Sequence, residues 1–266
     1  MGATPVTTRT FIARIGRSLS SACEQCGQTL ALFIRTLGNL RYIFAARRDI
    51  VDQMYYYGAG SVAVTAVFAF FSGMIIAYNT GLVLSQMGLG EAIGSVAAIV
   101  FCREWGPIMT AIILTARVGS SMTAEIGTMR VSEEIDALEV MGIDPVRFLV
   151  MPRVVALALV TVALTLMSDI IGIFGSAVIG HHRINVEYMT FYNSATSALR
   201  MVDVYCGMTK AFVYGALISI VACVQGLRTT GGARGVGRAT MISVVASLVF
   251  IIIFDLFITR LFFPET

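Results

Sequence analysis

Residues 58–87 read "GAGSVAVTAVFAFFSGMIIAYNTGLVLSQM" and contain no charged side chain. This stretch is longer than the roughly 20 apolar residues that a membrane-spanning helix needs. The whole chain of 266 residues shares the bias, since 57% of its residues are hydrophobic and 13% are charged. Soluble domains carry about 25% charged residues. We therefore predict an all-α integral membrane protein.

Four more apolar runs are long enough to cross a bilayer. They predict spans at residues 92–116, 151–180, 202–227 and 240–263, after the first span at 58–87. Charged residues interrupt spans two to five, but the flanks of each interruption are so apolar that a continuous helix is predicted. The chain therefore divides into a cytoplasmic N-terminal segment (1–52) and a five-span domain (53–266).

The distribution of Lys and Arg predicts the orientation of these spans. The N-terminal segment and every second loop hold fourteen of them, Arg117 and Arg153 included, against three on the opposite side. Because basic residues accumulate on the cytoplasmic side, the N-terminus and the loops after spans two and four are predicted to be cytoplasmic, with the C-terminus periplasmic. The net charge of +3 then reflects orientation and gives no reason to expect nucleic acid.

The segment before the first span has helical apolar spacing with arginines alongside, which predicts an amphipathic helix lying in the membrane interface. Its apolar positions are Leu30, Phe33, Ile34, Leu37, Leu40 and Phe44.

Two short motifs carry little functional weight. Cys23 and Cys26 form a lone CxxC without a second pair or a nearby histidine, which argues against a metal or redox site. His181 and His182 are adjacent, so their side chains diverge, and both are predicted in an external loop.

An acidic segment, "VSEEIDALEVMGIDP" at residues 131–145, separates spans two and three. Ser132 is a favourable N-cap, and Gly142 with Pro145 supplies a stop signal. These signals predict a short amphipathic helix over 131–141, with one apolar face and acidic side chains around the rest. A solvated loop helix and a docking surface for a cytoplasmic partner both fit this pattern.

Four of the charged residues inside the predicted spans carry most of the mechanistic information: Arg103, Glu104, Lys210 and Asp255. An isolated charge at the bilayer centre costs at least about 2.5–3.5 kcal/mol, so such groups face a cavity or one another. These four therefore either line a polar patch in an apolar cavity or pair structurally between helices.

The glycines of the spans have a simpler interpretation, because small residues permit close helix packing. Gly172 and Gly175 indicate such packing around Asp169, and Gly58, Gly60 and Gly73 offer it between two copies.

Two longer motifs resemble one family. Residues 103–153, "REWGPIMTAIILTARVGSSMTAEIGTMRVSEEIDALEVMGIDPVRFLVMPR", and residues 226–245, "GLRTTGGARGVGRATMISVV", are similar to the signatures of MlaE-type permeases. These are the membrane subunits of MCE-associated ABC transporters, which maintain lipid asymmetry. The resemblance covers the chain from about residue 50 to its end.

The resemblance implies an interfacial helix, five spans and a coupling helix between spans two and three. It also implies two copies of the permease, an ABC ATPase beneath each, an external MCE-domain hexamer and, in many systems, a STAS-domain protein. The chain itself lacks GxxxxGK[ST], so ATP hydrolysis is expected on another subunit, with no cofactor on this chain. The predicted coupling residues are Val131, Glu133, Glu134, Ile135, Leu138, Glu139 and Met141.

A phospholipid substrate needs apolar space for its acyl chains and a cation near its phosphate. Val83, Leu84 and Met87 of span one are predicted to line that space, and Arg103 or Lys210 to contact the headgroup, with Glu104 and Asp255 alongside. Sterols or other hydrophobic molecules are an alternative substrate class, and an ion-coupled secondary transporter is an alternative mechanism. The expected location is a bacterial inner membrane, with an organelle membrane as the alternative.

Overall fold

The computed structural model describes residue 27, residues 29–44 and residues 46–264. Within these residues the secondary structure is helical and contains no strand. The cysteine pair Cys23 and Cys26 lies outside the described residues. In chain order the helices are α1 (residues 29–39), α2 (Arg47–Gln86), α3 (Gly90–Val131), α4 (Glu134–Val140), α5 (Val146–Ile184), α6 (Tyr188–Ala198), α7 (Met201–Leu227) and α8 (Gly232–Phe262).

Five of the described helices, α2, α3, α5, α7 and α8, are long and apolar enough to cross a membrane. The shortest of them, α7, has 27 residues, which corresponds to about 40 Å at 1.5 Å per residue. A hydrocarbon core of about 30 Å is therefore within reach of each helix. Every predicted span falls on one of these five helices, so the prediction of an all-α, five-span membrane protein is confirmed.

The helix ends differ from the predicted span ends, most of all in α3. This helix continues to Val131 instead of ending at residue 116. Arg117, which was counted as a loop residue, therefore lies inside a helix, and Arg153 lies inside α5. The helix accommodates polar residues such as Ser120 and Thr123, since their hydroxyls donate to backbone carbonyls one turn earlier.

Three five-residue π-helical segments interrupt the regular α-helical geometry. Two lie in α3, at Phe101–Trp105 and Thr115–Gly119, and the third begins α5 at Val146–Val150. Pro107 follows the first segment by two residues and Pro152 follows the third by two. Proline has no N–H and cannot complete the α-helical hydrogen-bond ladder. A widened turn before each proline is consistent with that missing donor.

Helices α2 and α5 pack at backbone distance along a face of small side chains. A Cβ atom on Gly73 would lie 2.1 Å from the carbonyl oxygen of Gly172, and one on Gly175 would lie 2.4 Å from that of Phe70. Ser176 donates its hydroxyl to the Gly73 carbonyl at 3.0 Å. The packing predicted at Gly172 and Gly175 is therefore present. The prediction that Gly73 serves contact between two copies is wrong, because α5 of the same chain fills that position.

The bundle has two ends, which we name the α4 end and the α6 end after the short helix at each. At the α6 end the predicted loop position of His181 and His182 is wrong, since both lie in the last turn of α5. The His181 ring stacks on Tyr188 of α6 with the centroids 4.4 Å apart. Ser95 donates its backbone N–H to the Ser194 hydroxyl and its own hydroxyl to the Ser194 carbonyl, which ties α3 to α6.

Helix α1 presents two different faces. Leu32 and Thr36 are buried against the bundle. The exposed positions include four of the six residues that the apolar spacing singled out: Leu30, Phe33, Ile34 and Leu37. Phe44 is 88% exposed. The helix predicted from the spacing is therefore present over 29–39, and its place in the membrane interface stays a prediction.

Candidate functional site

Lys210 is the centre of a cluster of charges between three helices. Its side chain is fully buried, and its Nζ lies 2.5 Å from Glu104 Oε2 and 2.7 Å from Asp255 Oδ1. The three residues come from α7, α3 and α8 respectively. The structure thus brings together three of the four charged residues that the sequence analysis singled out within the spans.

Two hydroxyl groups complete the cluster, and sequence reasoning missed both. Tyr214 donates its hydroxyl to Asp255 Oδ1 at 2.6 Å, and Thr259 donates to Glu104 Oε1 at 3.1 Å. Each lies one helical turn from a cluster residue, Tyr214 after Lys210 and Thr259 after Asp255. That i, i+4 spacing was the signal available in the sequence.

The cluster is closed around its cation and open at its carboxylates. Lys210 is 0% exposed, whereas the side chains of Glu104 and Asp255 are 32% and 21% exposed. One ammonium between two carboxylates leaves a formal charge of −1. The prediction that Lys210 reaches a headgroup therefore does not fit the structure, because its side chain is fully buried and two of its three N–H donors face the carboxylates.

Arg103 lies apart from this cluster, although it is adjacent to Glu104 in sequence. Its Nε and Nη2 atoms donate to Asp203 Oδ1 at 3.0 and 2.6 Å, and the guanidinium lies 3.9 Å above the Phe263 ring centroid. Asp203 is 1% exposed at the side chain and also accepts the Arg200 backbone N–H at 3.1 Å. The headgroup role predicted for Arg103 is thus limited to the 29% of its side chain that stays exposed.

Sequence reasoning missed Asp203, which is the second residue of the predicted span 202–227. It lies in the first turn of α7, where the positive end of the helix dipole stabilises a carboxylate. An acid in the first turn of a predicted span was therefore the available signal. The π-helical segment Phe101–Trp105 carries both Arg103 and Glu104, and π-helical turns occur frequently at functional sites.

The three predicted apolar cavity residues lie near the α6 end of α2. Val83 and Met87 are 57% and 67% exposed, and Leu84 packs against the smaller apolar cluster that includes Ile93 and Phe191. Val83 and Met87 therefore face outward from a single chain. Within one chain, Leu84 contributes to packing between helices.

A separate apolar groove of about 320 Å³ lies between α1, α7 and α8. Its lining joins exposed residues of α1 to the middle of the two spans. Phe254, which precedes Asp255 of the charge cluster, is part of the wall. The principal lining residues are Leu30, Phe33, Phe212, Leu217, Phe250 and Phe254. Sequence reasoning did not predict this groove, because it depends on how α1 folds back on the bundle.

Helix α4 is anchored by one apolar residue and exposes most of its other side chains. Ile135 is 2% exposed and Leu138 packs against the core from a half-buried position. Val140 and Met141 at the far end are 88% and 64% exposed. The acids Glu133, Glu134 and Glu139 are exposed, as is Val131 at the end of α3. Arg130 forms an ion pair with Asp136 across the turn into the helix.

The predicted N-terminus of this helix is wrong. Ser132 ends α3, because its N–H still bonds to the Thr128 carbonyl and its hydroxyl donates to the same oxygen. The chain then reverses at Glu133, which has a φ of 60°, and α4 begins at Glu134. The helical segment is consequently Glu134–Val140 instead of 131–141. Sequence signals for a cap cannot distinguish the start of one helix from the end of the preceding one when both share a Ser.

These features define a class. The chain is a multi-pass α-helical membrane protein with charges compensated between its spans and an exposed acidic helix at one end. The profile of the family described as "Permease MlaE" matches residues 50–261. The chain therefore belongs to the MlaE permease family, as the two motifs predicted.

Individual relatives agree with this assignment. The chain is 38% identical over 214 residues to a probable ABC transporter permease protein of Rickettsia prowazekii, covering 80% of this chain and 83% of the relative. It is 38% identical over 220 residues to a probable ABC transporter permease protein of Synechocystis, covering 83% and 84%. It is also 39% identical over 216 residues to the chloroplastic protein TRIGALACTOSYLDIACYLGLYCEROL 1 of Arabidopsis thaliana, covering 81% of this chain and 62% of that one.

Proposed function

We propose that this chain is the permease subunit of an ABC transporter that moves phospholipids between its membrane and an MCE-domain partner. The observation that carries the proposal is the Glu104–Lys210–Asp255 cluster, which places two partly exposed acidic side chains beside apolar helix faces. A molecule with a polar head and apolar chains matches both surfaces. The Arabidopsis relative, whose name is that of a galactolipid, supports a lipid as the transported class.

The charge of the cluster suggests which end of a headgroup it handles. Because Lys210 is enclosed, the exposed part of the cluster belongs to the side chains of Glu104 and Asp255. Carboxylates attract the ammonium of a zwitterionic headgroup, and the exposed edge of Arg103 can meet the phosphate. The apolar groove at Phe212 and Phe254 offers space for an acyl chain.

Energy for transport has to enter from a separate ATPase subunit. The glycine-rich stretch 231–238, "GGARGVGR", lacks the Lys-Ser/Thr pair that holds the β- and γ-phosphates and magnesium. We propose α4 as the coupling helix that docks this ATPase, because Val140 and Met141 expose apolar surface next to exposed acids. Ile135 ties the helix to the bundle, so force on α4 reaches the spans.

A second copy of the chain is the natural partner for the outward-facing residues of α2. Val83 and Met87 expose apolar side chains near the α6 end, and two such faces enclose a cavity that one chain leaves open. We propose that an MCE hexamer meets this end and that a STAS-domain protein accompanies the ATPase. The α4 end is then cytoplasmic and the α6 end periplasmic in a bacterial inner membrane.

The test is reconstitution of the permease in vesicles with its ATPase and MCE partners. We expect fluorescent phospholipid to move from vesicle to MCE acceptor with ATP, and to stop moving when the ATPase or ATP is omitted. Transfer that continues unchanged without the ATPase indicates a channel or an ion-coupled carrier and refutes the proposal. ATP-dependent transfer of sterol in place of phospholipid refutes the substrate class alone.

A further inference from the structure

Arg117 lies inside α3 in the second π-helical segment, Thr115–Gly119, with its side chain exposed. Its Nη1 donates to Ser61 Oγ on α2 at 2.7 Å. The Ser61 hydroxyl in turn donates to the Tyr57 carbonyl at 2.7 Å, so its oxygen is free to accept from Arg117. This chain of hydrogen bonds fixes the position of the guanidinium.

The backbone of Gly60 gives the guanidinium its place. A Cβ atom on Gly60 would lie 1.9 Å from Nη2 of Arg117 and 2.6 Å from Cζ. The absence of a side chain at Gly60 thus allows the guanidinium to lie flat against α2. Ser61 and Gly60 together hold the guanidinium of Arg117 in one orientation.

Arg117 has no carboxylate partner within 4.0 Å among the described residues, in contrast to three other cations of these spans. Arg103 pairs with Asp203, Lys210 pairs with two carboxylates, and Arg153 pairs with Glu125 at 2.5 Å. A guanidinium has five N–H donors, and Ser61 accepts from one. Unpaired cations in membrane spans are costly and face water or an anion.

The position of Arg117 along the spans indicates which anion is available. Within α3 the uncharged run 105–116 ends directly before it, and Tyr55–Tyr57 lie about one turn before Ser61. Tyrosine is enriched at the membrane–water interface, at the level of the lipid headgroups. Arg117 therefore lies at headgroup level near the α4 end, where phosphodiester groups are the abundant anions.

We propose that Arg117, positioned by Ser61 and Gly60, binds the phosphodiester of a lipid in the leaflet at the α4 end. The inference rests on the proposed function and adds to it a lipid-binding site separate from the Lys210 cluster. The planar guanidinium fork suits a phosphate, because two N–H groups can donate to two of its oxygens. Ser61 is a positioning residue, since its hydroxyl hydrogen is already donated to Tyr57.

No acid of a second copy on α2, α3 or α5 lies at the right depth, and accessible, to pair with Arg117 in place of the lipid. Two copies oriented alike in one membrane are related by an axis along the membrane normal, so equivalent residues keep the same depth. The nearest acids on α3, Glu104 and Glu125, are 13 and 8 residues from Arg117, or about 20 and 12 Å along the helix. On α2 the nearest acid, Asp52, is nine residues before Ser61, and Asp169 of α5 is buried.

The test uses photoreactive lipid on the purified permease in a non-ionic detergent. One probe is phosphatidylglycerol with a diazirine near its headgroup, and the other is diacylglycerol with the same chains and no phosphate. Labelled peptides are mapped by mass spectrometry. We expect phosphatidylglycerol to label the segments around Gly60 and Arg117, and Arg117→Gln to lower this labelling about tenfold, as for loss of a charge-assisted hydrogen bond.

Three further variants separate binding from folding. Arg117→Lys keeps the charge without the fork and is expected to give intermediate labelling. Gly60→Ala displaces the guanidinium without removing it, so its labelling should fall toward that of Arg117→Gln. Arg183→Gln removes an exposed arginine at the α6 end and should leave labelling unchanged. Thermal unfolding of each variant shows whether the bundle is intact.

Four results overturn the proposal. They are equal labelling by diacylglycerol, unchanged labelling in both Arg117→Gln and Gly60→Ala, displacement by millimolar glycerol 3-phosphate, and loss of the dimer in Arg117→Gln. The third identifies a site for soluble phosphate, and the fourth identifies a protein partner. Failure of ATP-driven lipid transfer by the wild-type complex refutes the proposed function instead, and that result is obtained independently of labelling.

Discussion

Substitution of Lys210 by Met separates a structural from a functional role for the charge cluster. The change removes an ammonium that lies 2.5 and 2.7 Å from two carboxylates and leaves their charges uncompensated. Removing one partner of a buried ion pair costs about 3–5 kcal/mol. Glu104 and Asp255 keep the Thr259 and Tyr214 hydroxyls and are partly exposed. We therefore expect the lower end, about 3 kcal/mol, or a fall in Tm of roughly 6–12 °C.

The second step restores charge balance in stages. Lys210→Met is combined with Glu104→Gln, with Asp255→Asn, and with both. Each double variant leaves one carboxylate that still accepts from a hydroxyl, and the triple variant has no charge in the cluster. Because the three residues are in direct contact, their effects on stability should be strongly non-additive. We expect the triple variant to recover most of the Tm that the single change loses.

Transport then decides between the two roles. Phospholipid transfer to the MCE acceptor is measured with equal amounts of folded complex for every variant. If the carboxylates handle the headgroup, the double and triple variants regain stability while transfer and co-purified phospholipid stay low. A double or triple variant that moves lipid at the wild-type rate shows that the charges only hold the helices together, and the reasoning from Glu104 and Asp255 is then wrong.

Three more predictions follow from the fold. A reporter in the 228–238 loop should be cytoplasmic and one at the C-terminus periplasmic. If both reporters lie on the same side, the last span does not cross the membrane and the five-span topology is wrong. Charge reversal of the exposed acids Glu133, Glu134 and Glu139 should abolish ATP-driven transfer with little loss of Tm, since exposed side chains contribute little stability. By contrast, Ile135→Asp should unfold α4. Unchanged ATPase binding and transfer in the charge-reversal variant favour a solvated helix. Gly73→Ala places a Cβ 2.1 Å from the Gly172 carbonyl oxygen and should lower the free energy of unfolding by about 1–3 kcal/mol. Gly58→Ala, whose Cβ would have its nearest neighbour 3.8 Å away, should leave Tm unchanged. Equal Tm values for the two variants contradict the close contact between α2 and α5.

The pairing of Glu104, Lys210 and Asp255 was accessible from sequence because a membrane interior leaves charged groups few options. Opposite charges on different spans can compensate one another, and the cost of leaving them apart is high. The apolar spans were accessible for a related reason, since the bilayer sets a minimum length for an apolar helix. Both inferences follow from the properties of the bilayer interior, and neither requires knowledge of how the helices pack.

Features that depend on packing were not accessible. Asp203 partners Arg103 only because α7 begins beside α3, and no spacing within either helix encodes that contact. The start of α4 depends on Glu133 adopting a φ of 60°, a conformation that is uncommon for a residue with a side chain. Arg117 was assigned to a loop because its charge ends the uncharged run of the predicted span, although the polar residues after it have their hydroxyls satisfied within the helix.

Helix α3 connects the features that the two halves of the chain contribute separately. Glu104 lies in the half of α3 toward the α6 end, Arg117 lies two turns before Glu125, and α4 follows directly at the opposite end. Both π-helical segments of α3 carry these charged residues, and such segments depart from regular α-helical hydrogen bonding. A movement that enters at α4 would therefore shift Arg117 and Glu104 together or bend α3 between them. The acid-reversal variant of α4 consequently should keep phosphatidylglycerol labelling at Arg117 while it loses ATP-driven transfer; loss of both indicates that α4 shapes the lipid site and does more than transmit force.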